Sequence, residues 1–263
     1  MAEAVIVSTA RTAMSKSVRG LFNNTHGITL ASHALSHAMV RAGVDPADVE
    51  DVVLGCAYPE GATGFNIGRN AAMAAGCPTS TAGMTVNRYC SSGLQAIAIA
   101  AGRVINEGVP VMAAGGVESI SLVQFGGSAN MSHAREENLF NRLPALWMTM
   151  IETAEIVADR YDVSRESQDE FALLSQQRTA AAQKAGLYDD EIVPLETVTA
   201  ALMSVENNLA RIDTGLAAGV RAGDIGGGRG PSTLGRQAGQ LGTVLADRDH
   251  RELGIVPAEP TPE

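Results

Sequence analysis

The chain has 263 residues, of which 45% are hydrophobic and only 4% aromatic, and its formal net charge is −10. That length suits one large domain or two small ones, with a core built from Ala, Val, Leu, Ile and Met. The acidic balance argues against a nucleic-acid groove and against binding to an anionic membrane surface. Cys56, Cys77 and Cys90 have neither disulfide nor metal-ligand spacing, and the five histidines are scattered. No metal site is therefore expected, and reduced thiols in a cytoplasmic protein fit best. Met1-Ala2-Glu3-Ala4 leads directly into a strand pattern, so neither a signal peptide nor a membrane-inserted helix is expected.

Val5-Ile6-Val7 reads as a short buried strand. From Ile28 to Arg41, one helical face carries Leu30, Ala31, Ala34, Leu35, Ala38 and Met39, and Gly43 closes the helix. Asp45-Pro46 opens a further helical turn, and Val52-Val53-Leu54 predicts the next strand. A helix around Gly68 to Ala75 precedes the β-like stretch Gly83-Met84-Thr85-Val86. The helix after it places Leu94, Ile97, Ala98, Ala101, Val104 and Ile105 on one face. Val109 to Ala114 reads as a buried strand that ends in Gly115-Gly116. Strands alternating with helices imply crossover units, hence an α/β fold whose mostly parallel sheet is covered on both faces.

From about Ser121 to Thr149 the pattern loosens into Gly, Ser, Asn and Met, which suits a long functional loop or a mobile insertion. Two helices follow, Ile151 to Arg160 and Ser164 to Ala185, the second with Phe171 and Leu174 in its expected buried stripe. Ile192-Val193-Pro194-Leu195 returns to a strand. Beyond Met203 the grammar changes: no Phe, Tyr or Trp follows Tyr188, glycines crowd one stretch, and no apolar period persists. Such a segment cannot bury enough surface to offset its ordering entropy, so disorder is expected over 204–263.

Cys90 sits where the strand pattern ends and the helical pattern begins, in Val86-Asn87-Arg88-Tyr89-Cys90-Ser91-Ser92-Gly93. The unpaired N–H groups and the positive dipole end of the helix favour thiolate over thiol at that point. Ser91, Ser92 and Gly93 are small enough to let an acyl group approach.

These words resemble the thiolase family, the acyl-CoA C-acyltransferases. The likeness runs through Val5 to Thr12, Gly68-Arg69-Asn70-Ala71-Ala72, Thr85 to Ile97 and Ala114 to Ser121. It continues through Thr153-Ala154-Glu155, Val163 to Asp169 and Glu191-Ile192-Val193-Pro194. The words keep family order over roughly the first 200 residues. The resemblance implies a thiolase-like fold, with one five-stranded sheet and a loop region that covers coenzyme A. It implies Cys90 as the nucleophile that takes an acyl group as a thioester, its own N–H serving as one oxyanion donor. Met150 is implied as a wall of the acyl pocket; many members place His before that Met, and Thr149 stands here.

Acyl-CoA and CoA are the implied partners, with CoA a cosubstrate rather than a tightly bound cofactor, and a homo-oligomer is expected. The family's Cys-x-Gly-Gly-Gly, Gly-His-Pro and Asn-Glu-Ala-Phe words do not occur in this sequence. No cysteine follows Cys90, and His250, the sole histidine after His133, precedes Arg251 and Glu252. The organisation expected is thus an α/β core with the nucleophile over 1–120, a loop and return strand over 121–203, and an unmatched tail over 204–263. The C-terminal thiolase domain is expected to be absent. Two functions fit: forming or cleaving 3-oxoacyl-CoA, and an incomplete half-thiolase that only binds acyl-CoA or dimerises.

Overall fold

A computed structural model describes residues 3–197 and 241–247. The chain divides into two compact units, residues 1–129 with 191–263, and residues 130–190. In the first unit, strand β1 spans Ala4–Arg11 and helix α1 spans Gly27–Ala42, followed by β2 over Asp51–Gly55 and α2 over Ile67–Ala74. Strand β3 covers Ala82–Val86, helix α3 covers Ser92–Glu107, and β4 covers Val111–Gly116. The second unit holds α4 (Glu137–Arg142), α5 (Met150–Arg160) and α6 (Arg165–Lys184). Strand β5, Leu241–Asp247, belongs to the first unit.

The five strands form one sheet in the order β1-β5-β4-β2-β3. Strands β2, β3 and β4 are mutually parallel, while β5 runs antiparallel to both β1 and β4. The sheet is therefore mixed, and β5 alone is reversed. Every residue of β2 is buried, as a strand covered on both faces requires. Its side chains alternate between two cores. Val52 and Leu54 join Val111 and Ala113 under α1 and α2, whereas Val53 joins Met112, Ala114 and Leu245 under α3. The stripe expected on α1 is buried throughout, and Gly43, at φ 65, ends the helix in the left-handed conformation.

Four expectations need correction. Within the tail expected to be disordered, Leu241–Asp247 is an internal strand of the sheet; residues 204–240 and 248–263 lie outside the described residues. Gly242, Thr243 and Leu245 are buried there, and the backbone of β5 is paired on both sides. Long-range pairing thus orders a segment whose own composition would not. The return strand expected at Ile192–Leu195 is only an isolated bridge between Ile192 and Arg11.

The buried faces of two helices also differ from the periodic reading. In α3 the buried residues are Ser92, Ala96, Ala100 and Val104, while Leu94 is 73% exposed and Ile105 is also exposed. Small side chains let α3 lie close on the sheet, so the larger residues fall outside. In α6 no residue is buried, and Phe171 and Leu174 are exposed. Among the described residues, no helix is long and apolar enough to cross a membrane.

Candidate active site

Strand β3 ends at Val86 and α3 begins at Ser92, so Cys90 occupies the strand-to-helix turn at the carboxyl end of a parallel strand. In open α/β sheets that end is where ligands bind. Helix α3 then crosses over β2 to reach β4, which brings its first turn onto the ends of both strands. The approach is close: a Cβ on Gly55 would lie 2.2 Å from the carbonyl carbon of Ser92, and one on Gly116 would lie 3.4 Å from the Cα of Gly93. Only glycine at 55 lets the helix seat itself there, and that seating sets the height of the turn above the sheet.

Cys90 is exposed, whereas Cys56 and Cys77 are buried. Burial, with Glu118 adding to it, pushes the Cys56 thiol up to about 12. Burial likewise raises Cys77, partly offset by Arg69. Both thiols are thereby kept protonated near neutral pH and out of reach of reagents. Cys90 is the thiol that an electrophile meets.

The turn is gripped from two directions. Tyr89 lies at φ 49, a region that non-glycine residues seldom occupy. Its N–H donates to Asn87 Oδ1 at 2.8 Å. Its carbonyl accepts from Ser92 Oγ at 2.5 Å, and the same hydroxyl oxygen accepts from the Arg88 N–H at 2.9 Å. Asn87 in turn donates through Nδ2 to the Ala57 carbonyl at 3.0 Å. Ala57 is held by Glu118, whose Oε2 accepts the Ala57 N–H at 2.8 Å. Burial raises the pKa of Glu118, against the hydrogen bonds it accepts from the backbone at Ala57 and Tyr58.

Glu118 and Asn87 carry no assigned role in the sequence reading, although both stand inside matched words. Their signal lay in what those words pack against, two segments about thirty and sixty positions away in the chain. Ser119, in the same word, is buried next to Glu118.

Met150 opens α5 in the second unit and is 75% exposed. An apolar groove in that unit is lined by Phe140, Pro144, Trp147, Met148, Ile151 and Ile156, and Met150 does not line it. Thr149 before it is the N-cap of α5 in a reciprocal capping box. The Glu152 N–H donates to Thr149 Oγ1, and the Thr149 N–H donates to Glu152 Oε2 at 2.8 Å. The Thr-x-x-Glu spacing was readable in the sequence and marks the true start of this helix. Among the described residues, no group of three or more His, Cys, Asp or Glu side chains could hold a metal ion.

A solvent-facing thiol on a βα turn, seated by glycines on the ends of parallel strands, defines an α/β protein built around a cysteine. The chain belongs to the thiolase family: the family described as "Thiolase, N-terminal domain" matches residues 4–221. It is 43% identical over 202 residues to a 3-ketoacyl-CoA thiolase of Bacillus subtilis, covering 76% of this chain and 50% of that protein. It is 38% identical over 205 residues to an acetyl-CoA acetyltransferase of Rhizobium meliloti, covering 74% of this chain and 51% of that protein. The chain thus spans about half the length of the curated relatives it matches. Its fold is similar to the crystal structure of the Bacillus anthracis acetyl-CoA acetyltransferase, with a TM-score of 0.70 and 28% identity. That alignment covers 98% of this chain and 68% of that one.

Proposed function

We propose that this chain acts as an acyl-CoA C-acyltransferase of the thiolase type, forming or cleaving 3-oxoacyl-CoA, with Cys90 as nucleophile and acyl-CoA as substrate. The observation that supports it above all is the exposed Cys90 on its βα turn, beside two buried and protonated thiols, in a member of the thiolase family. The Cys90 thiolate attacks the thioester carbonyl carbon of acyl-CoA. A new sulfur–carbon bond forms, the bond to the coenzyme sulfur breaks, and CoA leaves as a thiolate that takes up a proton. Covalent capture divides one difficult step into two easier ones.

In the second step an acetyl-CoA carbanion attacks the enzyme thioester, releasing 3-oxoacyl-CoA and regenerating the Cys90 thiolate. That step needs a group to take the α-proton and donors for the oxyanion. CoA is consumed and released in this scheme and is not a resident cofactor. Met150 keeps the role that the family resemblance implies, a wall of the acyl pocket, and stands exposed at the start of α5. Self-association belongs to the same reading, supported by the exposed apolar residues Phe65, Leu94 and Phe125 of the first unit.

Incubation of the full chain with acetyl-CoA, followed by peptide mass mapping, tests the proposal. Expected is one acetyl group on the Cys90 peptide and none on those of Cys56 or Cys77. A Cys90→Ser variant should take up no thioester-linked acetyl. Acetylation that persists in that variant, or that favours Cys56, would remove Cys90 as nucleophile. Binding of acetyl-CoA with neither acylation of Cys90 nor release of acetoacetyl-CoA would favour the half-thiolase reading, in which the chain only binds acyl-CoA or dimerises.

A further inference from the structure

We infer that Glu118 and Asn87 are positioning residues for Cys90, acting through a hydrogen-bond relay that crosses from the end of β4 to the nucleophile turn. The inference rests on Cys90 being the nucleophile and adds to it the groups that hold the sulfur in place. Glu118 lies just past the end of β4. Its carboxylate accepts the Ala57 N–H at 2.8 Å, just past the end of β2. The Ala57 carbonyl accepts from Asn87 Nδ2 at 3.0 Å, and Asn87 Oδ1 accepts the Tyr89 N–H at 2.8 Å. Three segments remote in sequence are thereby tied together, and the last link holds the peptide next to Cys90.

Tyr89 is the reason such a relay is required. At φ 49 its backbone lies in a region that side-chain-bearing residues seldom adopt without local compensation. Ser92 secures the Tyr89 carbonyl from inside α3. The Tyr89 N–H is held by Asn87 Oδ1, and Asn87 is itself exposed and needs an anchor. The Ala57 carbonyl supplies that anchor, and Glu118 fixes Ala57. If the relay opens, Tyr89 relaxes toward ordinary φ and Cys90 leaves its place ahead of the α3 N-terminus.

The relay uses Glu118 as a hydrogen-bond acceptor, not as a charge, which separates it from a purely electrostatic role. Glu118→Gln keeps an acceptor oxygen for the Ala57 N–H, whereas Glu118→Ala does not. The test is the rate of Cys90 carbamidomethylation by iodoacetamide on the full chain across pH 6 to 9, read by mass spectrometry, with circular dichroism on each variant. Asn87→Ala and Glu118→Ala should slow Cys90 labelling at neutral pH by roughly three- to tenfold and move its pH profile upward, as the loss of one well-made hydrogen bond implies. Glu118→Gln should label like the unaltered chain.

Thr81→Ala, which removes the buried bond from Thr81 Oγ1 to the Val49 carbonyl, should lower the melting temperature without moving the Cys90 profile. Equal slowing by Glu118→Gln and Glu118→Ala would overturn the relay in favour of charge, and an unchanged Asn87→Ala profile would overturn it outright. If Glu118→Ala does not fold, Asn87→Ala, at an exposed position, decides the matter. A Cys90 that resists acetyl-CoA in the unaltered chain would instead sink the acyl-transfer reading, so the two failures are distinct.

Discussion

Cys56 and Cys90 carry the same thiol group, and the fold buries one and exposes the other. Cys56 is fully buried, with its Sγ 3.8 Å from Glu118 Oε1. Burial, then that neighbouring carboxylate, makes its thiolate unfavourable. His33 shows the same physics with the opposite sign of charge. Burial, then the neighbouring His37, whose ring centroid lies 4.5 Å away, pushes the His33 imidazolium to lower pKa. The unfolded chain therefore binds a proton near the ordinary value of about 6.5 that the folded chain refuses. Stability contributed by neutral His33 is present above that value and is lost as the pH falls below it. Between pH 6.5 and 5.5 the melting temperature should drop further for the unaltered chain than for a His33→Gln variant. Parallel pH curves for the two proteins would show that His33 does not titrate against folding.

Among the elements, α5 offers the sharpest test of local stability. None of its residues is buried, so its ends must be secured by its own side chains. Thr149 and Glu152 do this reciprocally. Thr149→Ala removes the hydroxyl that accepts the Glu152 N–H and donates to Glu152 Oε2, leaves the backbone bond from the residue 149 N–H to Glu152, and should cost about 1 kcal/mol of local stability. Hydrogen exchange at the first-turn amides of α5 should accelerate several-fold while the amides of β2 are unaffected. Protection in α5 equal to that of the unaltered chain would mean that another contact fixes the helix start.

Element types were largely legible in the sequence, because α1, α2, α3 and the parallel strands follow apolar periods set by local backbone geometry. Which face of α3 is buried was not legible. Leu94 and Ile105 are the larger hydrophobes, but Gly55, Gly93 and Gly116 bring the helix so near the sheet that only Ala96, Ala100 and Val104 fit beneath it. The strand-to-helix turn that carries Cys90 was legible from the change of period. The contact between Glu118 and Ala57 was not, since no spacing along the chain encodes it.

For the whole molecule, the decisive element is β5. It pairs with β1 on one side and with β4 on the other, so the sheet is continuous only through it. Without it, β1 has no neighbour in the sheet and Val111–Gly116 loses one of its two partners. A chain ending at residue 240 should therefore lose the cooperative thermal transition of the full chain and bind a hydrophobic dye. A chain ending at 247 keeps β5 whole and should retain the transition. Equal cooperativity in the 240- and 247-residue chains would show that β5 is dispensable for the fold.

The far position of β5 also bears on how the protein comes into being on the ribosome. Residues 1–129 carry four strands and the cysteine turn, yet the slot between β1 and β4 waits for residues 241–247. More than a hundred residues are synthesised between the end of β4 and the start of β5. At about 5–20 residues per second, the nascent chain spends roughly 6 to 25 seconds with that slot open. During that interval two strands present unpaired backbone, a state that invites pairing with other chains. Chaperone attendance, or slow translation after residue 247 rather than before it, would favour the native insertion over such mispairing.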